Sequence, residues 1–86
     1  MGSRRSQRCR VPHEQPPWVH ERRRTLGRRI RDQRIHRGHT QEALVEMTDI
    51  DRRTLQRIEA GESDPRYGDL LRIAEALGLD VADLVR

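Results

Sequence analysis

GHTQEALVEMTDIDRRTLQRIEAG, residues 38–61, decides the fold. Gly38 can take the left-handed conformation that closes a helix, and Thr40 stands where its hydroxyl caps the next one. Gln41 to Thr48 then reads as a short second helix, and Thr48-Asp49-Ile50 as a tight turn. Asp51 caps a third helix that runs from Arg52 to about Ala60, and Gly61 stops it. Ile50 and Leu55 occupy the two positions of a hydrophobic staple, so an apolar contact fixes how the chain enters that helix. Two helices this short cannot bury an apolar face between themselves; the flanking sequence must supply the rest of a core.

It does so on both sides. Upstream, Trp18, Arg22, Leu26, Ile30 and Arg34 fall at four-residue spacing, which predicts a first helix over 18–37. Pro17 suits its first position, where a proline loses no helical hydrogen bond, while Gly27 weakens it, so the helix is expected to be firm from about Thr25. Downstream, Glu62 to Gly68 is a polar loop in which Asp64 and Pro65 read as cap and first residue of a fourth helix, with Gly68 blurring its start. Leu70, Ile73, Ala74 and Leu77 follow the spacing of a buried helical face. Gly78 closes that helix, and Asp80 caps a short fifth one that buries Val81 and Leu84. No stretch reads as a strand, and the expected fold is an all-α bundle of five helices. Residues 1–17 hold three of the four prolines, much Arg and little that is apolar, and are expected to form a disordered basic arm preceding a domain over 18–86.

The chain has 86 residues, no Phe, one Trp and one Tyr, so its core must be aliphatic and too small to enclose a large catalytic cavity. All 18 basic residues are Arg. Residues 1–24 carry seven Arg against two acids, a net +5, whereas 25–86 carry eleven against twelve, a net −1. Within the latter, 25–57 is +3 and 58–86 is −4, so one end of the domain attracts polyanions and the other repels them. A single cysteine, Cys9, has no partner for an internal disulfide. No run of apolar residues approaches the ~20 needed to span a bilayer, and no secretory leader is legible. A cytoplasmic protein is expected.

Helix 3 carries the functional signal. With Arg52 at about 0° on a helical wheel, Gln56, Arg53 and Arg57 fall at about 40°, 100° and 140°, and Leu55 and Ile58 at about 300° and 240°. Leu55 and Ile58 anchor the helix; Arg52, Arg53, Gln56 and Arg57 then face outward, with no acid among them between Asp51 and Glu59. Arg and Gln are the side chains whose paired groups match the major-groove edges of guanine and adenine. A solvated basic surface is the alternative reading of this helix by itself.

Residues 25–86 resemble the phage Cro and repressor type of helix-turn-helix domain, the XRE family. The resemblance rests on Leu26, Gly27, Ile30, Arg34, Gly38, Thr40, Gln41, Glu42, Leu44, Ile50, the run through Ile58 and Glu59 to Gly61, Pro65, and Leu70-Leu71-x-Ile73-Ala74-x-Ala76-Leu77-Gly78 with Leu84. It implies a lambda-repressor-like bundle with helices 2 and 3 as the helix-turn-helix. It further implies base reading by Arg52, Arg53, Gln56 and Arg57, phosphate binding by Thr40, Gln41, Arg66 and Tyr67, and a buried ion pair between Arg34 and Glu59. Three positions depart from the pattern: Val45 stands where Ala is usual, Asp49 where Gly is usual, and His39 where an apolar residue is common.

The leading expectation is a sequence-specific, double-stranded-DNA-binding transcription regulator, a repressor or autoregulator, acting as a homodimer on an inverted repeat. Leu79, Val81, Leu84 and Val85 are the candidate dimer contacts. The competing expectation is an interaction module that holds a protein partner, as an antitoxin holds its toxin; the piece of a longer regulator that binds DNA for an effector domain is a third. Cys9 with His13 and His36 with His39 lack the further ligands a zinc site requires. Neither a catalytic constellation nor a phosphate-binding glycine loop is legible, so no enzyme, cofactor or metal is expected.

Overall fold

Pro17 opens the first helix, α1, which runs to His36 without interruption. This computed structural model describes residues 15–86, and the helix is formed well before Thr25. The basic arm expected over 1–17 therefore gives up its last residue to α1, and residues 1–14, with Cys9 and His13, lie outside the described residues. Four further helices follow, α2 (Gln41–Thr48), α3 (Arg52–Glu59), α4 (Tyr67–Ala76) and α5 (Val81–Val85), and no strand is found among the described residues.

Caps and turns set these boundaries. Thr40 Oγ1 accepts from the Ala43 amide at 3.0 Å and starts α2. Asp49 ends it in the left-handed conformation, at φ 59°, which a short polar side chain tolerates better than a branched one. Thr48 secures the turn from within: its buried hydroxyl donates to Leu44 O at 2.7 Å and accepts from the Ile50 amide at 3.3 Å. The Asp51 carboxylate accepts from the Thr54 amide at 3.3 Å, and α3 follows. At α5, Asp80 and Asp83 form a reciprocal capping box.

The start of α4 differs from the sequence expectation. Its cap position is Arg66 and its first residue Tyr67, so Asp64 and Pro65 lie in the loop before it. The Asp64 carboxylate is not free to cap, because the Arg23 guanidinium of α1 holds it through Nε at 2.5 Å and Nη2 at 2.8 Å.

The core is aliphatic: Ile30, Leu44, Ile50, Leu55, Ile58, Ile73, Ala74, Leu77 and Leu84 are buried, with Leu26, Val45, Ala76, Leu79 and Val81 packed at its margin. Helix α3 packs on α1 and α2; α4 covers α2, and α5 closes the ring between α4 and α1. Gly27 is where α1 and α3 meet most closely. A β-carbon there would stand 2.5 Å from Glu59 O and closer still to Ile58 O. No helix among the described residues is long and apolar enough to cross a membrane.

Candidate nucleic-acid interface

Leu55 and Ile58 are buried, and Arg52, Arg53, Gln56 and Arg57 are all exposed on the opposite side of α3. The helix is thus anchored along its apolar edge and presents four long hydrogen-bonding side chains to solvent.

Its C-terminal end is held by a buried polar network. Arg34 and Glu59 are only 8 % and 9 % exposed. The guanidinium meets the carboxylate through two bonds, Nε to Oε2 at 2.8 Å and Nη2 to Oε1 at 3.1 Å. Arg34 Nη1 also donates to His39 O at 2.9 Å, tying in the segment that leads to α2. Gln41 Nε2 then donates to Glu59 Oε1 at 3.1 Å. One carboxylate on α3 therefore receives donors from α1 and from the first turn of α2. Such a bidentate pair, tied further to His39 O and Gln41, fixes orientation, whatever its net contribution to stability.

The structure groups the sequence-predicted residues unevenly. Thr40 and Gln41 stand at the N-terminus of α2, where free amide groups favour an anion. Arg53, Arg57 and Arg66 share a concavity of about 210 Å³ between α3 and the loop that leads to α4. Tyr67 is exposed at the first position of α4. Arg52 turns the other way, toward α2, and pairs with Glu42. The outward side of α3 contains no acid of its own, but its neighbour lends one, and only the packing of α2 on α3 makes that visible.

The candidate dimer contacts do not form one surface. Leu84 is wholly buried in the core and has no surface to offer a partner, which corrects its assignment. Leu79 and Val81 line a concavity with Leu71, Ala74 and Gly78, whereas Val85 borders a separate groove with Trp18, Leu26 and Leu70. The apolar spacing that marked Leu84 is the same whether a short helix faces its own core or a second chain.

Sequence reading missed several clamps. Arg23 on Asp64 joins α1 to the loop after α3. Arg29 donates to the Leu84 carbonyl at 3.1 Å and to the Arg86 carbonyl, holding the end of α5. Arg72 reaches from α4 to Thr48 O at 3.2 Å, behind the turn between α2 and α3. Arginines at this density carry no mark in the sequence to separate these from solvated ones. Among the described residues no group of three or more His, Cys, Asp or Glu side chains is gathered to hold a metal ion.

Hydrogen bonds from Arg23, with its charge, hold the Asp64 carboxyl below the usual carboxylate range. Because the folded value lies below the unfolded one, this contribution is present above the ordinary carboxyl pKa and is lost as the pH falls through the lowered one. Asp64→Asn should therefore lower the melting temperature somewhat in the neutral region and leave it little changed where the wild-type carboxyl is already protonated, so that part of the acid limb flattens. An unaltered acid limb would mean the clamp does not act in solution.

Two short helices joined by a tight left-handed turn, the second braced by a buried pair and baring its polar face, define a helix-turn-helix domain. The chain belongs to that family: the family model described as "Helix-turn-helix domain" matches residues 25–86. Among curated proteins no match is found. Among solved structures, the clp gene regulator ClgR of Corynebacterium glutamicum is 30% identical, with 73% of this chain and 67% of that one covered at a TM-score of 0.70. The restriction-modification controller protein C.AhdI of Aeromonas hydrophila is 27% identical over 72% of this chain and 94% of its own, also at 0.70. The hypothetical transcription factor NHTF from Neisseria, 25% identical, covers 90% of this chain and 87% of that one at 0.72. The all-α, XRE-like fold is thereby established.

Proposed function

We propose that the chain is a DNA-binding transcription regulator that inserts α3 into the major groove and reads sequence with Arg52, Arg53, Gln56 and Arg57. One observation carries this reading: α3 buries only its apolar edge, is locked by the Arg34–Glu59–Gln41 network, and leaves all four base-matching side chains exposed. Thr40, Gln41, Arg66 and Tyr67 lie at the two flanks of that helix and would meet the phosphates on either side. The similarity to a gene regulator and to a controller protein supports a regulatory role. Such a protein acts by occupying DNA, without a chemical step.

One helix reads only a few base pairs, so a two-fold dimer on an inverted repeat, with half-sites ~34 Å apart, is the arrangement that gives useful specificity. The Leu71, Leu79 and Val81 surface is the contact we assign to it; occupancy of an operator that overlaps a promoter would then repress. Selection of purified protein on randomised duplex at physiological salt, followed by sequencing, tests this. A guanine-containing inverted repeat is expected, and recovery of sequence-blind binding alone would overturn it. Arg53→Ala should cost ~1–3 kcal/mol and relax one position of the selected site, whereas Arg66→Ala should weaken all duplexes alike and reduce the salt slope by about 1.

A further inference from the structure

Arg52 is the only base-reading candidate with a carboxylate partner among the described residues, and that partner comes from another helix. Glu42 lies in the first turn of α2, next to Gln41, and its Oε2 accepts from Arg52 Nη2. Both side chains are more than half exposed, 58 % for Arg52 and 59 % for Glu42, so neither is committed to the core. An exposed pair of this kind contributes little to stability. It bridges the first turn of α2 and the first residue of α3, and the network that orients α3 leaves it out.

We propose that Glu42 is a specificity-determining residue, which holds Arg52 for a guanine edge and denies it to the DNA backbone. The inference rests on the reading of α3 as the base-reading helix. Two physical effects combine in it. First, an arginine carries much rotamer freedom, and a planar fork is selective only when its plane is fixed. Nη2 has two hydrogens; giving one to Glu42 leaves the other, with Nη1, for the paired O6 and N7 acceptors of guanine. Second, an arginine that reaches the first turn of α2, where free amides already favour an anion, would otherwise take a phosphate oxygen, a contact blind to sequence. The Glu42 carboxylate repels that phosphate and satisfies the guanidinium in its place. Rejection of the wrong partner contributes to specificity as directly as attraction to the right one.

The test is a competition measurement at physiological salt on two duplexes, the site selected by the wild-type protein and a scrambled one of equal composition. Glu42→Ala should tighten binding to the scrambled duplex several-fold and tighten the selected one less, so that the ratio between them falls by about two- to threefold. Sequence selection on Glu42→Ala should show the loss concentrated at the base that Arg52→Ala also relaxes. In an Arg52→Ala background, adding Glu42→Ala should leave the ratio unchanged. Equal tightening on both duplexes would reduce Glu42 to a surface charge and overturn the proposal, as would an equal fall in the ratio with Arg52 absent. Failure of the wild-type protein to distinguish the duplexes would overturn the base-reading assignment itself; a selective wild type whose ratio ignores Glu42→Ala would overturn only the inference.

Discussion

Glu59→Ala should destabilise the domain by ~3–5 kcal/mol, because it strands the Arg34 guanidinium in a site that excludes water. The carboxylate is the acceptor for Arg34 Nε, Arg34 Nη2 and Gln41 Nε2, so its removal leaves three donors unmatched. Arg34 keeps only His39 O. A domain of this size has ~5–15 kcal/mol of stability in total, so the variant loses a large share of it. Chemical denaturation read by circular dichroism measures the loss. Replacing both partners with methionine should recover most of it, since an apolar pair of similar length carries no stranded charge. That double variant should nevertheless bind DNA poorly, because Gln41 loses its acceptor and α3 its anchor to α2. A single Glu59→Ala variant of near wild-type stability would show that the pair is solvated in solution and that α3 is oriented by packing alone.

How far the sequence disclosed this molecule depends on the range of the interaction concerned. Caps and turns are local: Thr40 and Asp51 accept from amides three residues on, and the Asp80 amide donates to the Asp83 carboxylate over the same span, so all three caps are legible along the chain. The outward set on α3 is legible for the same reason, through the angular separation of Arg52, Arg53, Gln56 and Arg57 from Leu55 and Ile58. The start of α4 is misread because Asp64 is claimed from 41 residues away by Arg23, a competition invisible along the chain. Leu84 is read from its spacing as buried, and it is; its further assignment as a dimer contact fails because periodicity does not say whether a core or a second chain covers it. Glu42 goes unnoticed as a partner for Arg52 because their meeting depends on the angle between α2 and α3, which the turn at Asp49 sets. Arg34 and Glu59 are reached through family resemblance, not through spacing: 25 residues separate them, and many other Arg and acid pairs would fit the composition equally well.

Gly27 reverses an ordinary expectation in the same way. In a free helix, Gly→Ala gains about 1 kcal/mol, since alanine restricts the unfolded chain and favours helix. At Gly27 the sign should invert. The added carbon would press on the carbonyls of Ile58 and Glu59, which are backbone atoms at the end of α3 and cannot swing aside as a flexible side chain would. Either α1 and α3 separate, thinning the contact around Ile30 and Ile58, or the last turn of α3 unwinds; overpacking of this kind costs ~1–3 kcal/mol. Gly68 in α4 is the internal control, because a β-carbon there meets nothing within 4 Å. Gly68→Ala should stabilise the domain by up to ~1 kcal/mol, so the same substitution is expected to move the melting temperature in opposite directions at the two sites. The displacement at Gly27 also carries the functional consequence. Glu59 sits at the contact, and shifting it moves the carboxylate that Arg34 and Gln41 hold, so DNA selectivity should fall further than the stability loss alone explains. Gly27→Ala with raised stability and intact selectivity would mean that the two helices have room to spare, and that the bracing of α3 tolerates a looser α1 than the geometry shows.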